Sequence, residues 1–321
     1  MTRYGVFAAT IYAIACFAQV ASAGSVKTNV VVVHPPLLPL VADIMRGSGT
    51  PQLLIKPGQD SHHFQLSPQQ ATLLSQADII IVADRALSAS LNKPIQARVD
   101  KGATLIALTE LPSADTLSYR TRNQFTKGTE KESGYIDPHI WLDPVRMADV
   151  VQDIAAAMGA VDMARDATYR HNAQILASHL SNEVHNGIQN VLNRKKPADT
   201  KDTIAYISYH DAYQYFEKRY GLSPVGYLTQ RPEEYIGAAA MKTLMEAARE
   251  SKVRCLITDS RSPLANRFAL YTQAKVIILS PERLYSAKDA PSAPWVQNEY
   301  DRLLAKIAYT FAGCISGTLS K

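Results

Sequence analysis

Side chains that bind metals occur in four segments, each connecting a predicted strand to a helix. They are residues 58–64, which contain His62, the turn around His139, the segment at His210, and Asp259. Open α/β sheets bind their ligands at the carboxyl ends of strands. Three imidazoles and one carboxylate form a ligand set that Zn²⁺ accepts. The sequence therefore predicts a metal site made of His62, His139, His210 and Asp259.

Each of these residues also has an ordinary structural explanation. His62 and His63 could form a solvated pair in a loop, and His210 could cap a helix. Asp259 could be the N-cap of the following helix, which is a common position for aspartate. A histidine near a tryptophan, such as His139, is more often a packed core residue than a ligand. The coincidence of all four at strand ends favours the metal site.

The turn around His139 has the stiffest sequence in the chain. It reads Asp137-Pro138-His139-Ile140-Trp141-Leu142-Asp143-Pro144, with an Asp-Pro step on each side of the histidine. Proline fixes its own φ and restricts the residue before it, and a tryptophan supplies a large apolar anchor. We expect a rigid turn that presents the imidazole while the indole holds the turn in place.

The other histidines are weaker candidates. His34 follows the first predicted strand and could line the same cleft, but a loop position before two prolines is the simpler interpretation. His171, His179 and His185 lie in a predicted helix with spacings that do not place all three on one face, so we expect them to be solvated.

Strands and helices alternate in two halves of the chain. Predicted strands cover residues 29–33, 52–55, 78–82 and 104–108, then 203–207, 225–228, 254–258 and 276–279. Between the halves, residues 164–194 have a helical pattern without proline and with only Gly187 as an interruption. At 1.5 Å per residue such a helix spans ~45 Å, which is typical of a connector between lobes. Residues 112–136 are polar and predict a mobile surface loop.

The chain begins with a predicted signal peptide at residues 1–23. Arg3 precedes an apolar run that ends in the cleavage sequence Ala21-Ser22-Ala23. We expect an exported, periplasmic protein with an N-terminal lobe at 24–163, a connecting helix at 164–196 and a C-terminal lobe at 197–321. In that compartment Cys255 and Cys314 would form a disulfide, the alternative being two unrelated buried thiols.

Composition and charge narrow the class of function. Of 321 residues, 46% are hydrophobic and 20% are charged, as in a globular protein of about two domains. The formal net charge is +5, and the leader contains one arginine and no acid, so the remainder carries 5 − 1 = +4 without long basic blocks. Nucleic-acid binding is not indicated.

The sequence resembles the ZnuA-like substrate-binding proteins of ABC transporters for zinc and manganese, the cluster A-I (cluster 9) family, across nearly the whole chain after the leader. The resemblance rests on four runs. They are Gly58-x-x-x-His62-x-Phe64-x-x-x-Pro68, Ala77-Asp78-Ile79, the run from Asp137 to Pro144, and Tyr209-His210-Asp211-Ala212-Tyr213-x-Tyr215-Phe216.

This resemblance implies two Rossmann-like α/β lobes with parallel sheets, joined by one long rigid helix, with one metal held in the cleft. His62, His139 and His210 fall on the family's histidine ligands, and Asp259 falls where the family places its carboxylate. The implied function is high-affinity capture of Zn²⁺ in the periplasm and delivery to a membrane permease. The implied protein is a monomer and not an enzyme, and its two cysteines match a disulfide of zinc-type members.

His210 indicates the metal, because manganese-type members carry glutamate there and imidazole suits Zn²⁺ better than a hard cation. The chain departs from the family pattern in having Ser61 before His62 and no histidine in residues 112–136. The alternatives are a manganese or iron member of the same family and a secreted zinc hydrolase, although motifs such as His-Glu-x-x-His do not occur in the chain. An adhesin is a further alternative.

Overall fold

The structure is a computed structural model that describes residues 27–57, 59, 64–120, 135–194, 206–230, 234 and 236–317. The predicted signal peptide, His62 and His63 lie outside the described residues, as does the part of the predicted loop at 121–134. Among the helices of the described residues, none is both long enough and apolar enough to cross a membrane.

The first half forms a four-stranded parallel sheet in the order β2-β1-β3-β4. The strands are β1 (Val30–Val32), β2 (Gln52–Leu53), β3 (Ile79–Val82) and β4 (Thr104–Ala107). The two central strands read Val-Val-Val and Ile-Ile-Ile-Val and are buried throughout, as strands covered on both faces require. Four helices belong to this half: α1 (Leu38–Ile44), α2 (Pro68–Ser75), α3 (Asn92–Val99) and α4 (Pro144–Val161).

The connecting segment is a long helical stretch, as predicted, but it is not α-helical throughout. Helix α5 (Asp166–Ser178) passes into a π-helical turn (His179–Val184) and then into α6 (His185–Arg194). At the turn, Ser181 Oγ bonds the carbonyl of Ala177, and Asn182 Nδ2 bonds that of Ser178. Side chains that compete for helix carbonyls in this way distort an α-helix. The expectation of an uninterrupted α-helix is therefore corrected.

The second half repeats the architecture with a sheet in the order β6-β5-β7-β8, again all parallel. Its strands are β5 (Tyr206–His210), β6 (Gly226–Thr229), β7 (Cys255–Thr258) and β8 (Lys275–Ile278), and its helices are α7 (Gln214–Tyr220), α8 (Ala238–Glu250), α9 (Pro263–Thr272) and α10 (Glu299–Ser316). The prediction ended β5 at Ile207, whereas the strand continues to His210, which pairs with Thr229. The predicted fold of two parallel α/β lobes is confirmed.

One apolar core runs through both halves. It joins β1, α1 and α4 to α5, α6 and α10, and its largest buried side chains include Trp141, Tyr169 and Phe311. Helix α5 packs on α4 and α1, whereas α6 packs on α10. Gly187 of α6 lies where a Cβ would come 2.3 Å from Cδ1 of Trp295, so the ring requires glycine there. A shared core of this kind holds the lobes in one relative position.

A disulfide joins Cys255, the first residue of β7, to Cys314 of α10, 59 residues later. The predicted bridge is confirmed. It links the start of the strand that leads to Asp259 to the last helix of the described chain.

Candidate metal centre

His139 is fully buried at the beginning of a short 3₁₀ turn, Ile140–Leu142. Asp137 Oδ1 accepts a hydrogen bond from the backbone N–H of His139 at 3.0 Å and lies 2.7 Å from its Nδ1. Pro138, which lies between the two residues, fixes the backbone of the turn, so the contact forms within the turn itself. In a neutral ring whose Nδ1–H donates to this carboxylate, the lone pair is on the other nitrogen, Nε2.

The His139 turn is fastened to the second lobe. The indole Nε1 of Trp141 donates to the carbonyl of Pro281 at 2.9 Å, and the Trp141 carbonyl accepts from the hydroxyl of Tyr300 at 2.6 Å. Gln214 Nε2 donates to Asp137 Oδ2 at 2.7 Å. The expectation that the indole anchors the turn is confirmed, and the anchor lies across the two lobes.

His210 ends the central strand β5 and is 3% exposed. Its Nδ1 lies 2.8 Å from Oδ2 of Asp259, the first residue after the neighbouring strand β7. Burial acts to lower the pKa of the His210 imidazole, but the charge of Asp259 and the hydrogen bond to it outweigh burial, so the pKa lies above its ordinary value. In the neutral imidazole, a proton on Nδ1 facing Asp259 leaves the lone pair on Nε2.

The two imidazoles meet between the lobes, with ring centroids 5.6 Å apart and planes inclined by 48°. Nε2 of His139, Nε2 of His210 and Oδ1 of Asp259 are buried and have no hydrogen-bond partner among the described residues. A buried nitrogen without a partner is costly, so such atoms usually have a role. Histidine with one nitrogen on a carboxylate and the other open is the usual arrangement of a metal ligand.

The structure thus brings together three of the four predicted site residues, while His62 lies outside the described residues. Within the described ranges, no group of three or more His, Cys, Asp or Glu side chains has a geometry that could hold a metal ion. The two imidazoles lie near each other, and one oxygen of Asp259 contacts His210 while the other has no hydrogen-bond partner among the described residues. The four-residue ligand set stays a prediction.

Two other described histidines, His34 and His179, differ from His139 and His210 because each has a partner at both ring nitrogens. His34 is buried, its Nδ1 accepts from the N–H of Ala83 at 3.1 Å and its Nε2 lies 3.1 Å from Ser88 Oγ. His179 is buried, so the prediction that it is solvated is wrong. Asp301 lies 2.9 Å from its Nε2 and Glu183 lies 3.0 Å from its Nδ1, and these contacts replace those that water would make. His171 is exposed, as predicted.

The contact of Asp137 with Nδ1 of His139 is not among the features predicted for the turn, which concern only its stiffness. The signal was available in the sequence, since an aspartate two residues before a histidine across a proline can reach its Nδ1. Arg120 and Glu217, which lie beside Asp211, carried no such signal, because they come together only across the lobes.

The family model described as "ZnuA: Zinc-uptake complex component A periplasmic" matches residues 30–303. The chain is 26% identical over 325 residues to the high-affinity zinc uptake system protein ZnuA of Brucella suis biovar 1 (strain 1330), covering 90% of this chain and 92% of that protein. It is 26% identical over 267 residues to the protein of the same name from Yersinia pestis, covering 77% and 80%.

Two solved structures share the fold. A crystal structure of ZnuA is 18% identical and covers 90% of this chain and 99% of its own, with a TM-score of 0.71. The substrate-binding protein FpvC of Pseudomonas aeruginosa in complex with Mn²⁺ is 16% identical and covers 91% and 100%, with a TM-score of 0.70.

Proposed function

Because the chain belongs to the family of the periplasmic component A of zinc-uptake complexes, we propose that it captures Zn²⁺ in the periplasm and delivers it to the permease of an ABC transporter. The observation that supports this most is the pair of buried Nε2 atoms of His139 and His210, neither of which has a hydrogen-bond partner among the described residues, on rings 5.6 Å apart. Zinc is the cargo of such a site and binds the two lobes together.

The proposed ligands are His62, His139, His210 and Asp259. Neutral imidazole is a good ligand for Zn²⁺, and the carboxylates on Nδ1 of His139 and His210 fix each ring and increase its basicity. The open Oδ1 of Asp259 is available as an oxygen ligand without breaking the bond of Oδ2 to His210. Four ligands of this kind complete a tetrahedral site.

Manganese is the second candidate, since a structural relative is described in complex with Mn²⁺. The nitrogen ligands favour zinc, which also stands above manganese in the Irving–Williams order. Zinc should therefore displace manganese in a competition titration, and replacing His210 by glutamate should narrow the difference in affinity. A preference of the unaltered protein for Mn²⁺ would overturn the assignment of zinc.

Equilibrium dialysis of the metal-free protein followed by metal analysis tests the function. We expect one zinc per chain, and His139→Ala or His210→Ala should lower the affinity by more than the roughly 10–100-fold loss typical of a residue that only orients a ligand. His171→Ala, an exposed histidine of α5, is the control and should bind zinc normally. An unchanged affinity in His139→Ala would show that the site is elsewhere.

The proposal is of transport and not of catalysis, and of a monomer released into the periplasm after removal of residues 1–23. A hydrolytic zinc site keeps an open position for water beside a general base. A panel of hydrolase substrates run with the zinc-loaded protein separates the two functions, because a binding protein holds zinc tightly without turnover. The N-terminal sequence of the periplasmic protein should begin at Gly24.

A further inference from the structure

The ends of the predicted surface loop are ordered and lie on the second lobe. Residues 117–120 and 135–137 run antiparallel, with Tyr119 N–H donating to the carbonyl of Tyr135 at 3.0 Å and Asp137 N–H donating to that of Leu117 at 2.8 Å. We call these two segments the strap. Its second segment leads directly into His139, so whatever holds the strap also places that imidazole.

The start of α7 binds both segments of the strap. The hydroxyl of Tyr215 accepts from the N–H of Leu117 and donates to the carbonyl of Asp137, each at 2.9 Å. Gln214 follows Tyr213 and is the first residue of α7. Its Nε2 donates to the carbonyl of Ser118 at 3.0 Å. The strap of the first lobe is therefore hydrogen-bonded to the second lobe along its length.

Arg120 makes the charged contact at the end of the first segment. Its Nε donates to Asp211 Oδ2 at 2.8 Å, Nη2 donates to the other oxygen of Asp211, and Nη1 lies 2.8 Å from Glu217 Oε2. The Arg120 carbonyl accepts from the hydroxyl of Tyr227 at 2.7 Å and from Gln230 Nε2 at 3.0 Å. One guanidinium thus serves two carboxylates of the opposite lobe.

Both carboxylates are buried, with Asp211 at 0% and Glu217 at 2% exposure. Tyr206 donates its hydroxyl to the second oxygen of Glu217 at 2.6 Å. Two buried negative charges side by side are unfavourable unless a cation compensates them, and Arg120 supplies that cation through a planar fork. Asp211 directly follows His210, and the strap leads into His139. The guanidinium of Arg120 therefore connects the segments that carry the two imidazoles.

We propose that Arg120 is a positioning residue for the metal site, a latch between the lobes that sets how fast bound zinc leaves. It holds the strap on the second lobe, and it thereby fixes the separation of His139 and His210. The proposal rests on the proposed function, because it assumes that zinc binds between these imidazoles. When the latch opens, the strap can move away with His139, and zinc loses one ligand before the others.

The latch should affect the dissociation of zinc more than its association. Its contacts hold the strap, and with it His139, in an assembled site, so their loss makes it easier for bound zinc to leave. In Arg120→Gln the charge and the fork are lost, and we expect zinc to dissociate about tenfold faster with one zinc still bound per chain. Arg120→Lys keeps the charge without the fork, so its dissociation rate should fall between the two.

Arg219 offers a matched control. It also forms a two-pronged ion pair across the lobes, with Nε and Nη2 donating to the two oxygens of Asp143 at 2.8 and 2.9 Å. Asp143 is the N-cap of α4, and its carboxylate accepts from the N–H groups of Val145 and Arg146 and from Arg219, not from an imidazole. Arg219→Gln should destabilise the fold in a comparable way while changing the zinc dissociation rate by less than about twofold.

The experiment loads each purified full-length variant with Zn²⁺ and follows transfer of the metal to an excess of a fluorescent chelator in a stopped-flow instrument. Faster release in Arg120→Gln, partial recovery in Arg120→Lys and near-normal release in Arg219→Gln support the latch. Equal release rates in Arg120→Gln and the unaltered protein, or equal acceleration in Arg120→Gln and Arg219→Gln, overturn it.

A second variant keeps the test decisive should Arg120→Gln not fold. Tyr227→Phe removes the hydroxyl that binds the Arg120 carbonyl and leaves every charge in place. Tyr227→Phe and Arg120→Lys should each release zinc faster than the unaltered protein. Release rates equal to that of the unaltered protein in both variants would overturn the latch. If the unaltered protein takes up no zinc at all, the proposed function fails, whereas normal uptake with unchanged release rates contradicts the latch alone.

Discussion

His139 and His210 each have a buried Nε2 without a hydrogen-bond partner among the described residues, but the two side chains depend on different parts of the fold. The carboxylate on His139 comes from Asp137 in the same turn, across one proline. The carboxylate on His210 comes from Asp259, which is brought next to it by the pairing of β5 with β7. The first pair can form as soon as the turn forms, whereas the second pair exists only when the sheet is assembled.

His179 completes the comparison, because it has a carboxylate on both ring nitrogens. Asp301 and Glu183 occupy Nε2 and Nδ1, and no lone pair remains for a metal. His139 and His210 therefore differ from His179 at one ring nitrogen, Nε2, which has no hydrogen-bond partner among the described residues. In this chain burial does not distinguish them, since His139, His210 and His179 are all buried.

The largest expected effect concerns the sheet-dependent pair. Strand β7, which leads to Asp259, begins at Cys255, and replacing both Cys255 and Cys314 by alanine removes the bridge that joins it to α10. Loss of a native disulfide typically lowers the free energy of unfolding by about 2–5 kcal/mol. Denaturant unfolding of the two forms measures this, with the reduced unaltered protein as a reference.

The disulfide variant also discriminates between the two histidines. We expect the backbone around His210 and Asp259 to exchange hydrogen faster, while the exchange of the His139 turn stays unchanged. Hydrogen exchange of the two backbone segments would show the difference, and equal changes in both segments would contradict the distinction between a local and a sheet-dependent pair.

The next effect compares the two aspartates directly. Asp137→Asn removes the carboxylate that orients His139 and should lower zinc affinity by about 10–100-fold, as is typical for a residue that only orients a ligand. Asp259→Asn removes the orienting carboxylate of His210 and, on the proposed function, a zinc ligand as well. It should therefore lower the affinity further than Asp137→Asn.

Competition with a chelator of known affinity measures both variants under the same conditions. Asp153→Asn serves as the control for loss of one carboxylate, because Asp153 of α4 accepts its hydrogen bond from the backbone N–H of Ser113 and not from a histidine. If Asp259→Asn is no worse than Asp137→Asn, Asp259 orients His210 without binding zinc, and the oxygen ligand must be sought elsewhere.

The difference between the pairs also explains how far the sequence alone could go. The alternation of strands with helices predicted both lobes, and the stiff turn predicted how His139 is held. The interruption of the connecting helix was not predictable from the absence of proline, because Ser181 and Asn182 distort it through side-chain bonds to carbonyls. The Arg120 contacts were not predictable either, because no periodic pattern records which residues meet across two lobes.

The smallest expected effect concerns His179 and depends on pH. Burial acts to lower its pKa, but the hydrogen bonds and charges of Asp301 and Glu183 outweigh burial, so its pKa lies above the ordinary value. A group with a raised pKa in the folded state stabilises the fold fully below its ordinary pKa of about 6.5, and this contribution is lost as the pH rises through the raised value.

His179→Gln should accordingly be less stable than the unaltered protein at pH 6, and the two should converge at alkaline pH. Thermal unfolding across this range measures the difference, with His171→Gln on the exposed face of α5 as the control. A constant difference in stability at every pH would mean that His179 acts through packing and not through its charge.

We expect Zn²⁺ to bind between the lobes through Nε2 of His139 and Nε2 of His210, with Nδ1 of each ring on an aspartate. A crystal structure of the zinc-loaded protein, with anomalous scattering recorded at the zinc edge, tests it most directly. We expect one anomalous peak about 2.0–2.1 Å from both Nε2 atoms, with the Asp137 and Asp259 contacts to Nδ1 retained. A peak elsewhere in the molecule, or zinc bound through Nδ1 of either ring, would contradict it.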